Sequence, residues 1–190
     1  IQGALAPLME KGQVQLTRLP YATLTALQRQ LRQGRYHIFH FVGHGGVDRL
    51  SGERVLYLED DTSRVRAVSG DYLGTLLSDH HSLRLALLNA CEGARVGLND
   101  PFAGVAQHLV LQGIPAIIAM QFEISDAAAL ILAQEFYGAI ADGYPVEAAL
   151  TEARKALFVA GHEVEWGTPV LYSRASDGRL FDLATVASTS

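Results

Sequence analysis

The chain has 190 residues, 49% hydrophobic and 18% charged. That is enough apolar material for one folded domain and too much for a disordered chain. The formal net charge is -5 and no basic stripe stands out, which speaks against nucleic-acid binding by counterion release. No run of 18 apolar residues occurs and the stretch Gly113 to Met120 is far too short, so neither a spanning helix nor a membrane partner is expected.

Cys91 is the one cysteine. It cannot close an internal disulfide, which fits a reducing, cytoplasmic setting. No basic start followed by an apolar block marks a signal peptide. The first residue is Ile1 rather than Met, so a fragment is expected. No repeat or low-complexity tract is found. Residues 1–183 read as one domain and residues 184–190, small and polar, as a tail.

Val14 to Leu19 (V-Q-L-T-R-L) alternates apolar and polar, which predicts a strand covered on one face. Leu24, Leu27 and Leu31 follow at helical spacing, with Gly34 as the C-cap. Tyr36 to Val42 is aromatic and β-branched and stops at Gly43, which predicts a buried strand. Arg54 to Glu59 and Arg64 to Val68 flank Asp60-Asp61-Thr62-Ser63 and predict a β-hairpin. Ser69 is expected to cap a short helix carrying Tyr72, Leu73, Leu76 and Leu77.

Leu83 to Asn89 is the next strand, and its end delivers Ala90-Cys91-Glu92-Gly93. Asp100-Pro101 reads as a helix start, with Phe102, Val105, Ala106 and Leu109 on the buried face and Gly113 closing. Pro115 to Met120 predicts a central strand with proline at its start. Ser125 is expected to cap a helix through Ile140, and Pro145 to open another through Phe158. Pro169 to Ser173 closes the series as a strand. Strands separated by helices imply a largely parallel sheet covered on both faces. Function in such sheets gathers at the carboxyl ends of the strands. His44 and Cys91 each follow one of those ends.

A thiol nucleophile needs a base or an electropositive partner, because the thiolate attacks. An imidazole titrates near neutral pH and can protonate a leaving amine. The oxyanion that forms needs fixed N–H donors. Cys91 supplies the sulfur and His44 the imidazole. The backbone N–H groups of Gly45 and Cys91 are candidates for the oxyanion, glycine allowing close approach of backbone.

The segment His37-Ile38-Phe39-His40-Phe41-Val42-Gly43-His44-Gly45-Gly46 resembles the histidine motif of CHAT domains, and Leu88-Asn89-Ala90-Cys91-Glu92-Gly93-Ala94 resembles their cysteine motif. Cys91 stands 47 residues after His44, near the roughly 50 that separate the pair in caspases. Ala119 to Asp126 and Trp166 to Tyr172 are similar to further stretches of the family. The resemblance runs from about Gly12 to Leu183. It implies a caspase-like three-layer α/β/α sandwich with a mostly parallel central sheet and a small β-hairpin insertion. The implied activity is that of a cysteine peptidase related to caspases, metacaspases and separases, with no cofactor.

The same resemblance places Asn89 where caspases carry glutamine and metacaspases aspartate in the S1 pocket. It makes Asp126, then Glu123, candidates to receive a basic P1 side chain, as in separases. A protein or peptide substrate is implied, with control by a sensor or regulatory region of a longer chain or a partner. The family's usual first strand is expected to be missing here, which would leave a sheet edge unpaired.

Plainer readings stand beside these. A cysteine after a strand is often just a small buried residue. His37 and His40 read as structural strand residues, and His80 and His81 as solvated. One cysteine and scattered histidines lack zinc-ligand spacing, so no metal is expected. Asp126 also suits the positive end of a helix, and Asn89 also suits a turn. Gly43-His44-Gly45-Gly46 lacks the Lys-Ser/Thr of a phosphate loop, and G-x-S-x-G is absent. The rivals to a peptidase are an inactive scaffold of the same fold and a flavodoxin-like ligand-binding domain.

Overall fold

The structure, a computed structural model, describes residues 1–90, 102–175 and 178–182. Its elements run α1 (Gln2–Glu10), α2 (Leu24–Gln33), β1 (Ile38–Gly43), β2 (Gly45–Val47), β3 (Arg54–Glu59), β4 (Val65–Ser69), α3 (Gly70–Ser78) and β5 (Leu85–Ala90). After residue 101 come α4 (Ala103–Leu111), β6 (Ala116–Met120), α5 (Asp126–Ala141), α6 (Val146–Val159), a 3-10 turn (Glu165–Gly167) and β7 (Pro169–Ser173).

Among the described residues, β1, β5 and β6 are parallel neighbours, and β7 closes a four-stranded sheet antiparallel to β6. Successive strand side chains point to opposite faces. On one face His40 meets Tyr137 of α5, ring centroids 5.9 Å apart. On the other, Phe41 stands edge-on to Phe102, just before α4, at 6.1 Å. Helices α1 and α6 pack on α5, and α3 packs on α4. The result is the expected three-layer α/β/α sandwich. Leu85 to Leu88 of β5 and every residue of β6 are buried, because helices cover both faces. That is why these strands read as unbroken apolar runs. Each fully buried leucine contributes about 1.5–3 kcal/mol.

The cap residues behave as their chemistry requires. Ser69 Oγ accepts from Tyr72 N–H at 3.3 Å and Ser125 Oγ from Ala128 N–H at 3.3 Å, each satisfying a donor that the helix itself leaves open. Gly113 follows α4 with φ +106, a conformation most residues resist, and the chain turns there directly into β6. The Asp100-Pro101 helix start lies outside the described residues.

One expectation needs correction and one needs extension. Val14 to Leu19 forms no strand. Val14, Leu16 and Leu19 lean on the core without strand pairing, so the alternation records one-sided burial without a ladder partner. The hairpin is present as β3 and β4, but it belongs to a three-stranded antiparallel sheet in which β2 pairs with β3. The hairpin turn is tighter than its sequence suggests. Asp60 Oδ1 accepts from Thr62 N–H at 2.8 Å and Arg64 N–H at 3.0 Å, a side chain mimicking a backbone turn.

Candidate active site

The register of the parallel pair defines the rim. β1 and β5 run side by side from Ile38 opposite Leu85 to Gly43 opposite Ala90. His44 follows β1 directly and is exposed. Cys91 follows Ala90 in the chain and lies outside the described residues, as do Glu92 and Gly93.

Glycines crowd His44 for a steric reason. A Cβ on Gly45 would run into the ring of Phe102, which is fully buried, and one on Gly46 would run into the Tyr57 hydroxyl. A Cβ on Gly43 would lie 2.7 Å from the Phe41 ring. The backbone is fixed as well. Tyr57 N–H donates to the His44 carbonyl at 2.9 Å. With Gly45 opposite Leu56, this bond makes Gly45–Leu56 a pair of the kind that exchanges no hydrogen bonds. The β2–β3 ladder therefore leaves the Gly45 N–H out.

Asn89, on β5, is buried at 2% exposure, and its Oδ1 has no hydrogen-bond partner among the described residues. A buried amide oxygen left so costs roughly 1–3 kcal/mol. Glu123 lies in the loop after β6 and Asp126 is the first residue of α5; both are exposed. They sit at the carboxyl end of the strand that neighbours β5. So His44, Gly45, Asn89, Glu123 and Asp126 all lie at or near the carboxyl ends of β1, β5 and β6.

The other histidines separate by burial. His40 is partly buried, its Nε2 shielded, and its Nδ1 lies 2.9 Å from the Tyr137 hydroxyl. Desolvation pushes its pKa down to about 4 and pushes the Tyr137 phenol up. His37 precedes β1 and is exposed, so it is not the strand residue expected. His81 is exposed and His80 partly buried.

One carboxylate at this end escaped the sequence reading. Glu165, beside Trp166, accepts from Ser125 N–H through Oε1 at 2.6 Å, and its Oε2 lies 2.6 Å from His162 Nδ1. Burial alone would raise its pKa; the hydrogen bonds from Ser125 and His162 outweigh this and hold it below the usual carboxylate range. The only signal in the sequence was the His162/Glu165 spacing of three.

Among the described residues no group of three or more His, Cys, Asp or Glu side chains could hold a metal ion. Among them, too, no helix is long and apolar enough to cross a membrane. Compared with known families, residues 3–169 match the model of the CHAT domain. No curated protein matches the chain significantly.

Proposed function

Since the chain belongs to the CHAT domain family, whose members are related to caspases, we propose that it is a cysteine endopeptidase working through Cys91 and His44. One observation carries the reading. The in-register parallel pairing of β1 and β5 ends with Gly43 opposite Ala90, and the next residue on each side is one of the two reactive groups.

In the proposed reaction the Cys91 thiolate attacks the scissile carbonyl carbon. The carbonyl electrons move onto oxygen, where the N–H groups of Gly45 and Cys91 donate to the oxyanion. That the β2–β3 ladder leaves the Gly45 N–H out supports this assignment. Collapse of the tetrahedral species breaks the C–N bond, and the His44 imidazolium gives its proton to the departing amine. A thioester remains. Water attacks it as His44 takes the water's proton, and the acid leaves with the thiolate–imidazolium pair restored. This sequence consumes no cofactor.

Substrate recognition is assigned to Asn89, Asp126 and Glu123, with a basic P1 residue preferred. The Asn89 oxygen, without a partner among the described residues, supports it, since an arginine or lysine donor would satisfy that acceptor. The two exposed carboxylates attract a cation only modestly in water; a bound peptide covering them would strengthen the attraction. The natural substrate is a protein or peptide, and control comes from a regulatory region outside this sequence or from a partner protein. A thiolate nucleophile suits a cytoplasmic, reducing compartment.

A peptidyl electrophile with arginine at P1 tests the proposal. Selective labelling of Cys91, lost in His44→Ala, is the expected result. Absence of selective labelling would leave a catalytically inactive scaffold of the same fold. Equal cleavage of matched Arg and Asp substrates would reject the basic preference while keeping the dyad.

A further inference from the structure

The loop that carries Glu123 is held at both ends by one distant segment. At its start, Gln121 N–H donates to the Thr168 carbonyl at 2.9 Å, and Thr168 is buried. At its finish, Ser125 N–H donates to Glu165 Oε1 at 2.6 Å, with His162 Nδ1 on the other carboxylate oxygen at 2.6 Å. Between these points Ile124 is buried, while Phe122 and Glu123 are exposed. Both side chains of the His162–Glu165 pair are about four-fifths removed from solvent, at 21% and 23% exposure. Such a pair is screened less than a surface pair.

The arrangement links two functions at one residue. Ser125 is the N-cap of α5, its hydroxyl bound to Ala128 N–H, and Asp126 is the next residue. Glu165 therefore holds the capping residue through its backbone while that residue holds the helix through its side chain. His162 orients the carboxylate: its own N–H donates to the Leu157 carbonyl at 3.0 Å, and Trp166 N–H returns to the His162 carbonyl at 3.1 Å.

We propose that Glu165 and His162 are positioning residues that set the recognition loop 121–126, and through it the selectivity of the site. They act through the backbone of Ser125 rather than on the substrate. The inference rests on the peptidase reading for the substrate it concerns, and on the hydrogen bonds above for the loop it holds.

The test uses the whole chain with Glu165→Ala, Glu165→Gln and His162→Ala. Hydrogen exchange is followed over residues 121–128. Removal of a charge-assisted acceptor is expected to speed exchange at Ser125 by about tenfold in Glu165→Ala. Glu165→Gln keeps an acceptor for Ser125 and is expected to fall between. Exchange in β1 and β5 stays as in the parent, which separates loop release from general loss of stability. With a basic-P1 peptide, KM is expected to rise about tenfold in Glu165→Ala while kcat holds, since lost ground-state and transition-state binding are equal. Unchanged exchange over 121–128 overturns the clasp. So does faster exchange with KM unmoved. If the parent chain cleaves no basic-P1 peptide, the basic-P1 reading fails first, and the pair falls as a selectivity device with it. If the parent cleaves and the variants match it, the clasp alone falls.

Discussion

β1 carries one histidine at its middle and is followed by another at its end, and the two live under opposite conditions. His40 is held between strand and helix, its Nδ1 on the Tyr137 hydroxyl, its Nε2 out of reach of water, its pKa pushed down to about 4 by desolvation. His44 stands exposed where the sheet stops. Both belong to one ten-residue motif. The difference teaches that membership of the motif does not by itself fit an imidazole for acid/base work; its depth in the sheet decides which of the two is open to a substrate. A buried neutral ring fills space and completes a hydrogen bond. An exposed ring beside the end of the neighbouring strand can meet a substrate and exchange protons with it.

The sharpest way to break this comparison is to remove each ring in turn. His44→Ala is expected to lower kcat/KM for peptide hydrolysis by roughly 10²–10⁴, the usual worth of a positioned acid/base. Its stability should stay within about 0.5 kcal/mol of the parent, as for other exposed positions. His40→Phe is expected to keep kcat/KM within a few-fold. Peptide kinetics beside urea unfolding decide it, and a reversal of the two activities would sink the assignment of roles.

Acid separates the pair in another way. The folded pKa of His40 is depressed to about 4 from 6.5, so the unfolded chain binds this proton more readily. Stability from the neutral ring is complete above about pH 6.5 and is lost as pH falls towards 4. The loss from this group amounts to about 3 kcal/mol. Glu165 acts in the same direction at lower pH, since its carboxyl is held low in the folded state. Urea midpoints followed from pH 7 to 4 should fall less steeply in His40→Phe than in the parent. Parallel curves would mean that the ring is solvated after all.

At the rim, the glycine proposed for the oxyanion also bears on stability. Gly45→Ala would drive a methyl into Phe102, which itself stands edge-on to Phe41. Overpacking of this kind costs about 1–3 kcal/mol. A second change, Phe102→Leu, should recover part of the stability of Gly45→Ala. Thermal melts of the single and double variants measure the coupling. Additive losses would show that the glycine is needed for its backbone rather than for room.

The sandwich was legible because its strongest signals are local. The apolar run of β6 lies between turn residues, and the serine caps stand where α3 and α5 begin. The misses are of a different kind. Val14 to Leu19 has the right alternation for a strand, but alternation reports one-sided burial and says nothing of a partner. β2 is Gly45-Gly46-Val47, of which only Val47 favours a strand; it forms because β3 offers an edge. His44 could be picked out by its motif, whereas Glu165 could not. Its importance comes from a contact with Ser125, 40 residues away, that only folding creates. Cys91, read from its motif, lies outside the described residues.

The smallest expected effect is also the one that tests whether buried polarity at the rim serves a substrate. Asn89 Oδ1 is buried with no partner among the described residues, while His40, equally a polar group on the sheet, has Tyr137. Were Asn89 only a piece of the core, nothing would oppose its replacement by a similar apolar shape. Asn89→Leu is then expected to raise stability by about 1 kcal/mol, because an unsatisfied buried acceptor is removed. If the oxygen awaits a substrate donor, the same variant is more stable yet binds a basic-P1 peptide more weakly, with KM raised about fivefold to tenfold for a loss near 1 kcal/mol. Unfolding free energy and KM measured on one preparation decide the matter. A stabler protein with unchanged KM assigns Asn89 to the interior and takes it out of the recognition surface.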